Sequence, residues 1–157
     1  MSGDAQMIRE LAELTRKVEY LRTLEYQRWV GPTDAAWVGT AGAPLTSTEW
    51  DSDAYSTTAK TLIDLSVKFG VPAGVKAVEV RYTVLDSGSA ANDTYLILSW
   101  DNTAGEGIPI SPYPVNSRAN RGAVIVPCNA SGDIYYQISA SGASTFVIIL
   151  EIVGYLL

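Results

Sequence analysis

The segment VKAVEVRYTVLD, residues 75–86, carries the clearest structural signal in this sequence. Its even-numbered positions from 78 to 84 are apolar or aromatic, and the odd-numbered positions between them are polar. A period of two indicates a β-strand that buries one face and leaves the other in solvent. We therefore expect an antiparallel sheet with one face in a core, because parallel strands are apolar on both faces.

Further strand candidates are short segments rich in apolar residues, and turns rich in Gly, Asn, Asp, Ser and Pro separate them. They are DTYLILSWD (93–101), RGAVIVPC (121–128), GDIYYQISA (132–140) and STFVIILEIVGYLL (144–157), with TSTEW (46–50) and KTLIDLSV (60–67) as weaker candidates. Short strands in this number, with no second helix, predict a mainly β fold. We expect an antiparallel, jelly-roll-like sandwich over residues 45–157, and an immunoglobulin-like sandwich is the alternative.

The N-terminal segment, residues 4–29, has a different period. Its apolar residues are spaced alternately four and three apart, which is the heptad pattern of a coiled-coil helix. This heptad seam consists of Met7, Leu11, Leu14, Val18 and Leu21. A helix that packs on its own domain usually has a wider apolar stripe, so the narrow seam predicts association with copies of the chain. An amphipathic helix packed on its own domain is the alternative. Residues 30–44, rich in Gly and Pro, predict an extended connector.

The chain ends in an almost continuous apolar run, FVIILEIVGYLL, at residues 146–157. In a strand, the even-numbered side chains would enter the core and the odd-numbered ones would form a second apolar face. The candidate interface residues on that second face are Val147, Ile149, Val153 and Tyr155. Exposed stripes of this kind mark interfaces, so we expect another subunit to cover it. Glu151 would reach solvent or pair with a cation such as Arg81. Alternatively, the chain's own connector covers the stripe.

Both ends of the chain therefore predict self-association. The second face of the last strand also includes Leu157, and burying its five apolar side chains at ~1.5–3 kcal/mol each contributes about 10 kcal/mol per subunit before the cost of association. A helical stalk followed by a head that packs through one sheet favours a homotrimer. The heptad residues alone also allow two strands.

Composition excludes several classes of function. The sequence contains no histidine and only one cysteine, Cys128, so histidine-based triads, the usual zinc sites and CxxC sites are absent. A net charge of −6 argues against nucleic-acid binding. The C-terminal run of 12 residues, 146–157, is too short to cross a bilayer. We expect no enzyme activity, no cofactor, no nucleic-acid partner and no membrane insertion. A glycan hydrolase that uses Asp51 and Asp53 is the remaining enzyme alternative.

The loop EGIPISPYPVNSRANRG, residues 106–122, has the most unusual composition. Its prolines restrict the backbone, so its exposed side chains would be held in place. An aromatic ring, amides and guanidinium groups can stack on a sugar and form hydrogen bonds with it. The candidate ligand-binding residues are Tyr113, Asn116, Arg118 and Arg121. The same set suits a contact with a neighbouring subunit, which the sequence favours over a sugar site.

Two stretches of the sequence carry a resemblance to a known class of protein. They are PLTSTEWDSDAYSTTAKTLIDLSVKFGVPAGVKAVEVRYTVLDSGSAANDTYLILS (44–99) and IVPCNASGDIYYQISASGASTFVIILEIVGYLL (125–157). In pattern they resemble the β head domains of small trimeric phage virion proteins of the tail-fibre, spike or head-fibre type. These proteins combine such a head with a short N-terminal helical stalk that docks on the particle.

The resemblance implies a non-enzymatic structural protein on the virion surface, which is extracellular after release. It would be a homotrimeric fibre, spike or capsid decoration protein, anchored to other virion proteins through its N-terminal helix. A receptor- or glycan-binding adhesin head, with a host surface glycan as partner, is the alternative. No functional residue can be carried over from the resemblance, because it includes no catalytic motif.

Overall fold

The computed structural model describes residues 3–25, 29–31, 56–57, 59–88, 93–143 and 145–157. Within these ranges the chain is mainly β with an N-terminal helix, as the sequence predicted. The elements are α1 (Gly3–Glu25), β1 (Trp29–Val30), β2 (Thr61–Ile63), α2 (Leu65–Phe69), β3 (Ala77–Asp86), β4 (Tyr95–Ser99), β5 (Ile108–Ile110), β6 (Asn120–Pro127), β7 (Ile134–Ser139) and β8 (Phe146–Leu156). The predicted strand at 46–50, most of the predicted connector, and Asp51 and Asp53 lie outside the described residues.

The strands form two four-stranded antiparallel sheets with the orders β1-β8-β3-β6 and β2-β7-β4-β5. The chain enters the first sheet at Trp29, opposite Leu156, so helix α1 precedes this end of the sandwich. We call it the near end. Strand β3 ends at Asp86, opposite Phe146, where β8 begins. We call this opposite end the far end.

The core lies between the two sheets and is almost entirely aliphatic. All eight strands contribute at least one buried side chain to it, including the two-residue strand β1 through Val30. The largest fully buried side chains include Tyr155, Phe146, Leu65, Leu96, Leu98, Ile134, Ile138, Ile148 and Leu150. Burial of each such side chain contributes ~1.5–3 kcal/mol, so these contacts are the main force that holds the sheets together.

Strand β8 keeps the predicted alternation as far as Ile152. Its even-numbered side chains from 146 to 152 are buried, and its odd-numbered side chains from 147 to 151 are half-exposed on the outer face of the first sheet. This confirms the outward orientation predicted for Val147 and Ile149. Glu151 pairs with Arg81, the cation expected from the sequence, with 3.4 Å between Oε2 and Nη1.

Beyond Ile152 the alternation reverses. The pairing with β3 shifts by one residue between Ile152 and Gly154, which makes Val153 the extra residue of a β-bulge. Tyr155 therefore turns into the core, where 0% of it is exposed, while Leu156 is half-exposed. The prediction that Tyr155 lies at a subunit interface is wrong, because strict alternation does not continue through a bulge.

Helix α1 ends at Glu25, four residues before the predicted end at 29. Trp29 and Val30 instead form strand β1, which pairs with the end of β8. Part of the expected connector therefore folds back onto the last strand. It extends the edge of the sheet, and Val30 enters the core with 0% exposed, so these residues do not cover the stripe as the alternative prediction had it.

The weak strand predicted at 60–67 is a short strand followed by a helix, so the expectation of a single helix is wrong. Helix α2 begins after Asp64, whose carboxylate accepts a hydrogen bond from the Val67 N–H at 2.9 Å. It ends at Gly70, which has the left-handed φ of 69°. An Asp N-cap and a C-terminal Gly are ordinary helix boundary signals that stand only six residues apart here.

Strand β5 is a further difference, because it lies inside the segment expected to be a loop. Pro109 is its central residue and lies opposite Ile97 of β4. Proline is tolerated there because β5 is at the edge of its sheet and needs no N–H donor on its outer side.

The bulge makes a prediction about stability. Tyr155→Ala removes a fully buried aromatic side chain and should lower the free energy of unfolding by about 3–5 kcal/mol. Val153→Ala truncates a half-exposed side chain two residues away and should lower it by less than about 1 kcal/mol. Urea unfolding followed by circular dichroism measures both values. Equal losses would contradict the reversal of alternation at Val153.

Candidate binding site

The segment between β5 and β6, residues 111–119, forms an ordered loop at the far end of the sandwich. The side-chain amide of Asn120 donates a hydrogen bond to the Ser111 carbonyl at 2.8 Å, which closes the base of the loop. Within it, the Val115 N–H donates to the Tyr113 carbonyl at 2.7 Å and the Arg118 N–H donates to the Val115 carbonyl at 3.1 Å. These bonds and the loop's prolines leave the backbone little freedom.

A buried aspartate, Asp86, fastens this loop to its neighbours. Its main-chain carbonyl accepts a hydrogen bond from the Ser117 N–H at 2.8 Å. Its Oδ1 accepts from the Gly88 N–H at 2.7 Å and from the Ser141 hydroxyl at 2.5 Å. Its Oδ2 accepts from the Ser141 N–H at 3.2 Å and from the Thr145 hydroxyl at 3.1 Å. Three loops that meet at the far end are thus held by one residue.

The environment of Asp86 favours its charged form. Burial raises the pKa of the Asp86 carboxyl, but the hydrogen bonds from Ser141, Gly88 and Thr145 together outweigh burial and hold that pKa below its usual range. Sequence reasoning gave Asp86 no role beyond the end of the predicted strand. The available signal was an Asp at the end of a strand followed by Ser-Gly, a pattern in which the Asp side chain often bonds the turn backbone.

The loop brings two of the four predicted ligand-binding residues together. The guanidinium carbon of Arg118 lies 4.5 Å from the ring centre of Tyr113, within the range of a cation–π contact. Tyr113 remains 43% exposed. Ser117, which precedes Arg118, has a φ of 60°, a left-handed conformation that non-glycine residues seldom adopt.

The other two predicted residues are positioned differently. Asn116 is exposed on the same loop. Arg121 is exposed on strand β6 opposite Thr83, so it projects from the outer face of the first sheet, next to the loop but not within it. Of the four predicted residues, the structure therefore brings only Tyr113 and Arg118 into contact.

No model of a known protein family matches this sequence, and no curated protein matches it. Function is therefore argued from the chemistry and position of the surfaces. Within the described ranges, no helix is long and apolar enough to cross a membrane. In the same part of the chain, no three side chains of the Cys, Asp or Glu type come together as metal ligands would.

The heptad seam on α1 is exposed along its whole length. The exposed fractions of its five residues run from 45% at Val18 to 61% at Leu21. All side chains from residue 6 to residue 22 are exposed, so this part of the helix does not pack on the head. The alternative of an amphipathic helix packed on its own domain does not hold for these residues. Self-association of the seam stays a prediction.

The outer face of the first sheet carries the other predicted interface. Val147 lies opposite Leu85 and Ile149 lies opposite Thr83, and the side chains of all four are half-exposed. Ile125 on β6, which sequence reasoning did not single out, is 55% exposed on the same face. The outer face of the first sheet thus carries four partly exposed apolar side chains together with the Arg81–Glu151 ion pair, and its role in association stays a prediction.

Lys60 is a buried charge that sequence reasoning also missed. Only 1% of its side chain is exposed, and its Nζ lies 3.6 Å from Asp101 Oδ1. The same nitrogen donates hydrogen bonds to the main-chain carbonyls of Asp101, at 3.4 Å, and Glu106. A buried ammonium group needs such compensation. Lys60 thereby fastens the β4–β5 loop to the chain that precedes β2, which is a structural role.

Cys128, the single cysteine, contributes to packing. It packs half-buried against the core. Burial, with a smaller contribution from the nearby charge of Asp133, raises the pKa of its thiol to about 12. The thiol is therefore protonated at neutral pH and is a poor nucleophile.

The hydrogen bonds of Asp86 predict a defined pH dependence. Because its pKa is lowered in the folded state, the carboxylate stabilises the fold above the unfolded-state pKa of about 4, and this contribution is lost as the pH falls through the folded-state pKa. Asp86→Asn should lower the free energy of unfolding by about 2 kcal/mol at pH 7. As the pH is lowered, the free energy of unfolding should then decrease less in this variant than in the wild-type protein.

The control is Asp93→Asn, which changes an exposed carboxylate that precedes β4 at the same end. Urea unfolding at pH 7, 5, 4 and 3 measures the profile. An unchanged pH profile in Asp86→Asn would contradict the role assigned to this residue.

Proposed function

We propose that this protein is a non-enzymatic structural component of a virus particle, a homotrimeric fibre, spike or decoration protein. Helix α1 anchors it and the β-sandwich is its displayed head. The observation that carries the proposal is the heptad seam, whose five residues from Met7 to Leu21 are all exposed on α1. An apolar seam of this kind is stabilised by other helices, so the natural role of the segment is assembly.

The strand order supports the further proposal that the sandwich is a jelly roll. Such a fold contains eight strands arranged as two Greek keys in two sheets. Here the orders β1-β8-β3-β6 and β2-β7-β4-β5 interleave strands from the two halves of the chain, and the first strand pairs with the last. Viral capsid proteins and lectins both use this architecture, so it agrees with the proposal without choosing between a structural and a binding role.

The outer face of the first sheet supports a trimer contact through the head. With Tyr155 in the core, the face is smaller than the sequence predicted, but Ile125 and Leu85 extend it beyond Val147 and Ile149. At ~1.5–3 kcal/mol for each fully buried aliphatic side chain, this face contributes about 5–10 kcal/mol per subunit before association costs. That is enough to support an oligomer in which the helices also associate.

Anchoring through α1 sets the expected location and partners. The seam would bind two further copies of the chain, and the charged residues on the rest of the helix would contact other virion proteins. The protein would then lie on the virion surface and be extracellular after release.

Receptor or glycan binding by the head is a second candidate function. The specific observation in its favour is the exposed Tyr113–Arg118 pair on an ordered loop at the far end. A protein anchored at its near end presents the far end to its surroundings. The two functions are compatible in one molecule.

The trimer proposal predicts the mass in solution and the response to two adjacent substitutions. Light scattering at micromolar concentration should give three times the chain mass of 16.9 kDa. Ile149→Lys should yield folded monomers or aggregates, because three like charges would meet near one axis. Ile148→Lys, at a side chain that is only 1% exposed, should instead abolish the β signal in circular dichroism.

A monomeric wild-type protein would contradict the proposal. A stable dimer would agree with association through the proposed interface but contradict the proposed number of three subunits. A normal trimer with Ile149→Lys would show that the outer face of the first sheet is not the contact.

Anchoring predicts that the seam is needed for assembly but not for folding. Leu14→Asp places a charge at a core position of the seam and should reduce the helical signal and the co-sedimentation of the protein with virus particles. Arg16→Asp introduces the same side chain outside the seam and should have little effect on either. The β signal of the head should be unchanged in both variants. Its loss in Leu14→Asp, or a wild-type protein that does not co-sediment with particles, would contradict the assignment.

A further inference from the structure

We propose that the far-end loop binds an anionic polysaccharide, one that bears carboxylate or sulfate groups, through Arg118 and Tyr113. The inference rests on receptor binding, the second candidate function, and names the chemical class of its ligand. It is carried by three observations on the described residues, which are the local charge, the stacked pair and the fixed backbone.

The local charge is opposite in sign to the charge of the whole protein. The net charge is −6, yet the loop of residues 111–119 contains Arg118 and no acidic residue, and a second arginine, Arg121, lies next to the loop on β6. Asp86 lies directly against the loop, but it is 0% exposed and its side chain accepts four hydrogen bonds from the neighbouring turns. Asp93 is exposed near the start of β4 at the same end. A small positive patch on an acidic protein selects an anionic partner at that patch.

The Tyr113–Arg118 pair can make two kinds of contact with a charged sugar, an ion pair with its acidic group and stacking on its ring. Arg118 lies with its guanidinium carbon 4.5 Å from the ring centre of Tyr113, which restricts the side chain. A guanidinium group held in this way can still donate two parallel N–H bonds to a carboxylate or sulfate. Tyr113 is 43% exposed even with Arg118 beside it, so part of its surface is open to a sugar ring.

The backbone of the loop is fixed before a ligand binds. The Asn120 side chain holds the base through the Ser111 carbonyl, and Asp86 holds Ser117 in its left-handed conformation next to Arg118. Pro112, within the loop, is buried and has a restricted φ. Binding to a fixed loop loses less conformational entropy, which favours weak ligands such as sugars.

A polysaccharide fits this patch better than a nucleic acid does. Nucleic-acid binding needs an extended basic surface that neutralises many phosphates, and the net charge of −6 opposes it. The loop itself offers a single exposed arginine, Arg118, so it can contact only a few sugar units of a polymer.

The test compares matched charged and neutral polysaccharides. The probes are oligogalacturonate with its methyl ester, and dextran sulfate with unmodified dextran. Full-length protein is titrated by calorimetry at low and at high salt. We expect the charged member of at least one pair to bind at least about tenfold more tightly than its neutral counterpart, with the advantage falling as salt rises.

Variants assign the binding to the loop. Arg118→Gln should remove most of the tenfold advantage, and Tyr113→Ala should weaken binding of the charged probe. Arg16→Gln makes the same change in charge on helix α1 and should leave binding unchanged. A loss of the same size in Arg16→Gln would show a general charge effect and overturn the inference.

The remaining outcomes separate this inference from the proposals on which it depends. Equal binding of charged and neutral probes would show that the ligand need not be anionic, and it would leave the proposal of receptor binding standing. An unchanged advantage in Arg118→Gln would overturn the assignment to this loop. No binding to any of the four probes would overturn both the inference and its receptor premise, while the structural role is judged separately by the trimeric mass.

Discussion

The pairing of β3 with β8 at the centre of the first sheet is the interaction on which the rest of the structure depends. It joins ten residues of β3 to β8, and a single bulge interrupts it. The even-numbered side chains of β8 before the bulge form one wall of the core. The opposite face of the same strands carries Val147, Ile149 and the Arg81–Glu151 pair. One pair of strands therefore creates both the core and the surface proposed for assembly.

The two ends of this strand pair have different neighbours, and in the proposed function this separates anchoring from recognition. At the near end, β1 adds to the edge of β8 and brings the chain in from helix α1. At the far end, β3 stops at Asp86, beside the loop with Tyr113 and Arg118. A protein that is held through its helix therefore turns this loop away from its anchor. The geometry allows assembly and binding without competition for the same surface.

Two buried charged groups in this sandwich, Asp86 and Lys60, hold loops in place through hydrogen bonds. Asp86 accepts hydrogen bonds from two turns and, through its carbonyl, from the loop of residues 111–119. Lys60 is the donor in its own contacts, because its ammonium group donates hydrogen bonds to two main-chain carbonyls of the β4–β5 loop. Each charge is compensated by several partners, as a buried charge must be. Both residues therefore fix the conformation of loops that make few contacts with the aliphatic core.

Local patterns in the sequence were enough to predict the fold class, the helix and five of the strands. The period of two in residues 75–86 and the heptad spacing in α1 each depend only on neighbouring residues, so they can be read without a structure. The pairing of Arg81 with Glu151 was also predictable, because a charge amid apolar residues needs a partner. Tyr113 and Arg118 were predicted as site residues from composition alone.

Tertiary structure decided the features that depend on contacts between distant segments. The bulge at Val153 is a one-residue shift in the pairing of β8 with β3, and no local pattern marks it. It placed Tyr155 in the core rather than on the surface. Asp86 and Ser141 are 55 residues apart, and their hydrogen bond forms only once two sheets have stacked. Periodicity assigns a residue to a face, but the register between strands determines which partners that residue meets.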